Sequence, residues 1–222
     1  GALSRARAAA AARLGSQAAA QINDLAMAVR FEVGVTPEEG AESGWTVHGW
    51  DRIEYRLATN AGEPLKPLDE IASGGEMSRV MLALKVTVEE SFAAAAGGAP
   101  GGGKRRGKGS SAARAELPAP RMLVFDEIDI GIGGRAAEAV GRKLKALSRR
   151  QQVVCITHLP QIAAFADQHF LIEKAERGGR TRTSIRRMDD SERAQEIARM
   201  LSGATVTGSS LEHARQLLAM SR

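Results

Sequence analysis

Three short stretches carry residue types that could do phosphate chemistry. Ser73-Gly74-Gly75-Glu76 is a Ser-Gly-Gly turn running straight into a helical apolar pattern. Two residues without a Cβ let backbone N–H groups approach an anion, and a helix N-terminus adds partial positive charge. Ser73 with Glu76 three positions on is also a capping box, so the turn alone reads as a well-capped helix too. In Met122-Leu123-Val124-Phe125-Asp126-Glu127 an apolar strand-type run delivers adjacent carboxylates to its C-terminal end, where open α/β sheets place ligands. Asp126 there can hold Mg²⁺, and Glu127 can orient and polarise an attacking water. Two acids at a solvated strand end are the plainer reading. A second apolar run, Val153-Val154-Cys155-Ile156-Thr157-His158, ends in one histidine. His158 can stabilise charge developing on a terminal phosphate, or simply be satisfied by nearby backbone.

The elements that must position these residues are legible around them. Residues 3 to about 29 read as one helix: Ala-rich, free of Pro, with Leu14, Ala18, Ile22, Leu25 and Val29 at three- and four-residue steps. Such a helix is either the returning arm of a coiled coil or a long surface helix. Phe31, Val33 and Val35, then Ile53, Tyr55 and Leu57, alternate as half-buried strands. Met77, Val80, Met81, Leu84 and Val88 keep helical spacing after the Gly-Gly turn. The two apolar runs ending at Asp126 and His158 predict strands buried on both faces, as in a parallel sheet. A helix over about 135–149 joins them. His169 to Ile172, Gly178-Gly179 and Ser184 to Arg186 predict a hairpin, and helices over about 191–201 and 209–220 close the chain. Strand and helix alternate in the α/β manner.

Composition narrows the class. Of 222 residues, 43% are apolar and 26% charged, an ordinary globular balance that excludes wholesale disorder. No apolar run approaches the roughly 18 residues of a membrane span. One cysteine, Cys155, excludes a disulfide framework and a Cys-based zinc site, and reads as a small core residue. The formal net charge is +5, and Lys104, Arg105, Arg106, Lys108 and Arg114 account for all of it. They lie in a Gly/Ala/Ser/Pro-rich, acid-free stretch within a flexible insertion spanning 97–118. This segment is a solvated insertion or a contact for nucleic-acid phosphates. Its Gly102 to Lys108 run mimics a phosphate-binding P-loop, but no strand precedes it and Gly109 stands where Ser or Thr is needed.

Taken in order, the three stretches resemble the C-terminal lobe of an ABC-type ATPase head: a signature motif, a Walker B strand with its catalytic glutamate, and a switch histidine. Asp126-Glu127-Ile128-Asp129 is closer to the SMC group than to transporter heads, which put proline after the glutamate. Ile71-Ala72-Ser73-Gly74-Gly75-Glu76-Met77-Ser78-Arg79, Asp129-Ile130-Gly131-Ile132-Gly133-Gly134-Arg135 and Thr157-His158-Leu159-Pro160-Gln161-Ile162-Ala163 resemble the bacterial RecN family. Gly133 stands where many ABC heads carry the D-loop aspartate.

The resemblance implies an α/β fold, a mostly parallel sheet with flanking helices, and a long N-terminal coiled-coil helix. It divides the chain into a returning arm, 1–29, and a C-terminal head lobe, 30–222. It implies ATP and Mg²⁺ as cofactors. Ser73, Gly74 and Gly75 would contact ATP held by a partner head, Asp126 would bind Mg²⁺, and Glu127 and His158 would be catalytic, with Asp129 a further nucleotide-contact candidate. Implied partners are an N-terminal Walker A lobe of the same protein, a second copy engaged through ATP, and DNA, in the bacterial cytoplasm at the nucleoid and with no membrane. The implied function is ATP hydrolysis coupled to DNA tethering in double-strand break repair, the chain alone being inactive because it has no Walker A loop. Another SMC-type DNA ATPase head and a non-hydrolysing coiled-coil scaffold are the rival readings.

Overall fold

Helix α1, Ala2–Asn23, forms where Ala dominates and Pro is absent. It ends six residues before the expected Val29. The Asn23 side chain closes the turn, its Oδ1 accepting from Val29 N at 2.8 Å, and Ala26 takes a positive φ of 59°. Leu25, Met27 and Val29 are then free to enter the core as a connector. The computed structural model describes residues 1–37, 46–60, 62–70, 73–95, 122–177 and 180–221. The basic insertion and the Gly178-Gly179 turn lie outside the described residues.

Strands β1 (Arg30–Pro37) and β2 (Asp51–Ala58) pair antiparallel, with the two-residue β3 (Lys66–Pro67) on the far edge of β2. The register sets Phe31 opposite Leu57 and Val33 opposite Tyr55. The alternating apolar positions therefore share one face, and Phe31 and Tyr55 stack at 6.0 Å. Helix α1 packs on this sheet and on α2, Gly74–Ala95.

Strands β4 (Met122–Phe125) and β5 (Gln152–Cys155) form a parallel pair connected through α3, Gly134–Ser148. A short α4, Pro160–Ala163, leads to the antiparallel hairpin β6 (Phe170–Arg177) and β7 (Arg180–Arg187), then to α5 (Asp190–Ser202) and α6 (Gly208–Met220). Ile22, Leu25, Leu57, Leu82, Ile128 and Val140 sit at the centre of the main core. A second cluster joins Ala163 to Ile197, Ala198 and Ala214.

Two expectations of burial fail. Among the described residues β4 and β5 are covered on one face only. Leu123, Phe125, Val153 and Cys155 pack on the core, while Met122 and Val124 are 61% and 58% exposed and Val154 and Ile156 are exposed beside them. A continuous apolar run signals two buried faces, but which faces are covered depends on what lies above the sheet. On α2, Met81 and Val88 also point outward, and the buried arc runs instead through Val80, Leu82, Ala83, Leu84 and Val86, because α2 packs between α1 and α3.

Candidate functional site

The loop 126–130, between β4 and α3, is where the three sequence stretches meet. Ile128 is fully buried and anchors it. The chain turns tightly, Ile130 N donating to Glu127 O at 3.2 Å. Glu127 adopts φ 58°, the left-handed region that a residue with a Cβ enters at a cost. Asp126 Oδ1 accepts from Glu127 N at 2.9 Å. Its other carboxylate oxygen accepts no hydrogen bond among the described residues.

The Gly-Gly turn presses on this loop from α2. Ser73 caps the helix as its spacing predicts, Oγ accepting from Glu76 N at 3.4 Å. A Cβ at residue 74 would stand 2.5 Å from Glu127 Oε2. At residue 75 it would stand 3.1 Å from Glu127 O and from Ile130 Cβ. Gly75 is thus the glycine that the close approach of backbone to backbone requires, while at 74 only the tip of the Glu127 side chain is in the way. The Glu127 carboxylate lies against Gly74, at the helix end that favours negative charge.

On the other side of the loop, buried Asp129 reaches the end of β5. Its Oδ2 accepts from Thr157 Oγ1 at 2.6 Å and from His158 N at 2.9 Å, and lies 2.9 Å from His158 Nδ1. Burial pulls the Asp129 pKa up, but these hydrogen bonds and the nearby imidazole more than offset it, leaving the carboxyl below its ordinary value. The His158 ring is 74% exposed. Asp129 therefore acts on His158 from behind. Burial, with the charges of Asp129 and Asp126 adding to it, pushes the Cys155 thiol up to about 12, so at neutral pH it is a core residue and not a nucleophile.

The structure brings Glu127 to Gly74 and His158 to Asp129, while no hydrogen bond joins Glu127 to His158. Asp126, Glu127, Gly74 and His158 all stand on exposed surface. Sequence reasoning missed three participants. Ser78 Oγ donates to Asp126 O at 3.0 Å. Thr157 bonds Asp129. Arg79, 6% exposed, donates through Nη1 to Ile130 O at 2.9 Å and Ile128 O at 3.4 Å. Burial lowers the Arg79 pKa and the charge of Glu76 opposes this; the guanidinium stays charged at neutral pH. Its position was a readable signal: 79, 82, 83 and 86 share one helical stripe, and the other three are apolar.

No protein-family model matches the chain. Curated proteins do. The chain is 39% identical over 188 residues to DNA repair protein RecN of Halalkalibacterium halodurans, covering 85% of this chain and 29% of that protein. It is 42% identical over 191 residues to RecN of Treponema pallidum, with 85% and 29% covered. It is 38% identical over 230 residues to RecN of Streptomyces coelicolor, covering 100% of this chain and 36% of the relative. The chain thus spans about a third of the length of these relatives. Among solved structures it is similar to an Smc head domain with a coiled coil and joint from Pyrococcus yayanosii, at TM-score 0.48 and 19% identity, with 97% of this chain and 30% of that one covered.

Proposed function

We propose that this RecN-type segment is the C-terminal lobe of an SMC-type ATPase head, contributing half of a split ATP-hydrolysing site to a protein that repairs DNA double-strand breaks. The observation that carries the reading is convergence. The Gly-Gly helix start, the two adjacent carboxylates and, through Asp129, the histidine all meet on the five-residue loop 126–130.

Each residue then has a role its geometry suits. The free oxygen of Asp126 is the kind of single-carboxylate donor that Mg²⁺ takes alongside water and phosphate oxygens. Mg²⁺, when bound, supplies neutralisation of the phosphate charge. Glu127 orients and deprotonates the attacking water. His158, held by Asp129, presents its free ring edge toward the terminal phosphate. Ser73, Gly74 and Gly75 face the nucleotide of a second copy. The Glu127 carboxylate lies against Gly74, so an incoming phosphate has to displace it. Engagement of two heads would thereby free the base.

The exposed apolar face of Met122, Val124, Val154 and Ile156 is the surface on which the phosphate-cradling Walker A lobe would pack, burying roughly 1.5–3 kcal/mol per fully covered side chain. In this reading α1 is the base of a coiled-coil arm that returns from that lobe, and DNA is the partner tethered in the bacterial cytoplasm. No described helix is long and apolar enough to cross a membrane.

The test compares ATP hydrolysis by this chain alone with the complete protein. The chain alone is expected to be inert and the complete protein active. In the complete protein Ser73→Arg is expected to abolish ATP-driven dimerisation while nucleotide still binds. Turnover by the chain alone, or loss of binding in that variant, would overturn the split-site assignment.

A further inference from the structure

The first two turns of α2 grip the 126–130 loop at three successive levels. Gly75 lets the helix backbone touch Glu127 O and the Ile130 side chain. Ser78 hydrogen-bonds Asp126 O. Arg79 holds the carbonyls of Ile128 and Ile130, the residues on either side of Asp129. From the opposite side Asp129 holds Thr157 and His158. A buried cation is a poor way to fill a helix interface, since an apolar side chain of similar size packs there at less cost. Arg79 is the less economical still because its buried Nε has no hydrogen-bond partner among the described residues. Two carbonyls held by one guanidinium nitrogen of a rigid planar group, by contrast, are fixed relative to each other and to the helix.

We infer that Arg79 is a positioning residue, coupling the helix that begins at Ser73-Gly74-Gly75 to the Asp129–His158 pair. Contact at the N-terminus of α2 shifts the guanidinium, the guanidinium shifts the backbone on both sides of Asp129, and Asp129 re-aims the His158 ring. The inference rests on the ATPase reading for its functional meaning, while the mechanical coupling stands on this geometry alone.

The test uses the complete protein with Arg79→Met, Arg79→Lys and Ser78→Ala, with folding checked by urea denaturation. Two readouts are taken: steady-state ATP hydrolysis and amide hydrogen exchange of segments 127–131 and 157–159. With Arg79→Met, kcat is expected to fall about 10- to 100-fold at little-changed KM, the scale of loss for a slightly misplaced reactive group. Exchange in both segments is expected to rise while the rest of the folded protein keeps its protection. Arg79→Lys, which keeps the charge and one donor, is expected to lie between the two. Unchanged exchange at 157–159 in Arg79→Met overturns the coupling. So does a loss of kcat that only tracks the folded fraction. If Arg79→Met does not fold, Arg79→Lys and Ser78→Ala decide by the same two readouts. A wild-type protein that hydrolyses no ATP sinks the ATPase reading, and the exchange result still decides whether Arg79 couples the two segments.

Discussion

Asp129 Oδ2 lies 2.9 Å from both the ring Nδ1 and the backbone N of His158. One carboxylate oxygen therefore fixes the residue's backbone and its ring together. The opposite ring nitrogen has no hydrogen-bond partner among the described residues and sits on an exposed side chain, the arrangement that orients an imidazole toward a ligand without burying it.

Removing that anchor strands its donors. Asp129→Ala leaves the Thr157 hydroxyl and the His158 amide without their acceptor, and is expected to cost about 2–3 kcal/mol of stability, the range for losing a charged acceptor. In the complete protein it is also expected to slow hydrolysis. Urea unfolding and steady-state turnover check the two effects; a stability change near zero would remove Asp129 from the anchoring role.

The same carboxyl predicts an acid limb. Its folded pKa lies below the ordinary 3.8, so on acidification the unfolded state takes the proton first. The stability it contributes is complete above that ordinary value and drains away as pH falls below it through the folded pKa. Asp129→Asn is expected to lose stability less steeply than wild type over that range. Parallel acid limbs in urea melts of the two proteins would contradict the assignment.

Glu127→Gln in the complete protein is expected to bind ATP and form the head dimer while turning over at least about 100-fold more slowly, the lower range for loss of a positioned base. Near-normal hydrolysis, measured as phosphate release, would take Glu127 out of that role.

The two glycines are expected to differ. A methyl group at 75 meets backbone oxygen and the Ile130 side chain on the loop, whereas at 74 it meets only the end of the Glu127 side chain, which can swing aside. Gly75→Ala should therefore destabilise by about 1–3 kcal/mol, as overpacking does, and Gly74→Ala by clearly less. Equal melting midpoints for the two variants would argue against the close approach at 75.

Cys155, its thiol held near 12 by burial, is expected to react with iodoacetamide at neutral pH far more slowly in the folded chain than in urea. Rapid modification of the native protein, read by mass spectrometry, would show that β5 opens.

What the sequence determined by itself was local and chemical. Ser73 and Glu76 announced a helix start, alternation marked Phe31 to Val35 and Ile53 to Leu57 as half-buried strands, and the acids and histidine stood at strand ends. These follow from short-range rules: capping, period-two alternation and turn chemistry act within a few residues. The tertiary structure alone decided which residues meet. Asp129, a bare nucleotide-contact candidate in sequence, became the anchor of His158 from 29 positions away, and Arg79 gained its partners only when α2 was laid across the 126–130 loop. It also decided that Met122 and Val124 face outward, because an apolar pattern records that a face can be covered and not what covers it.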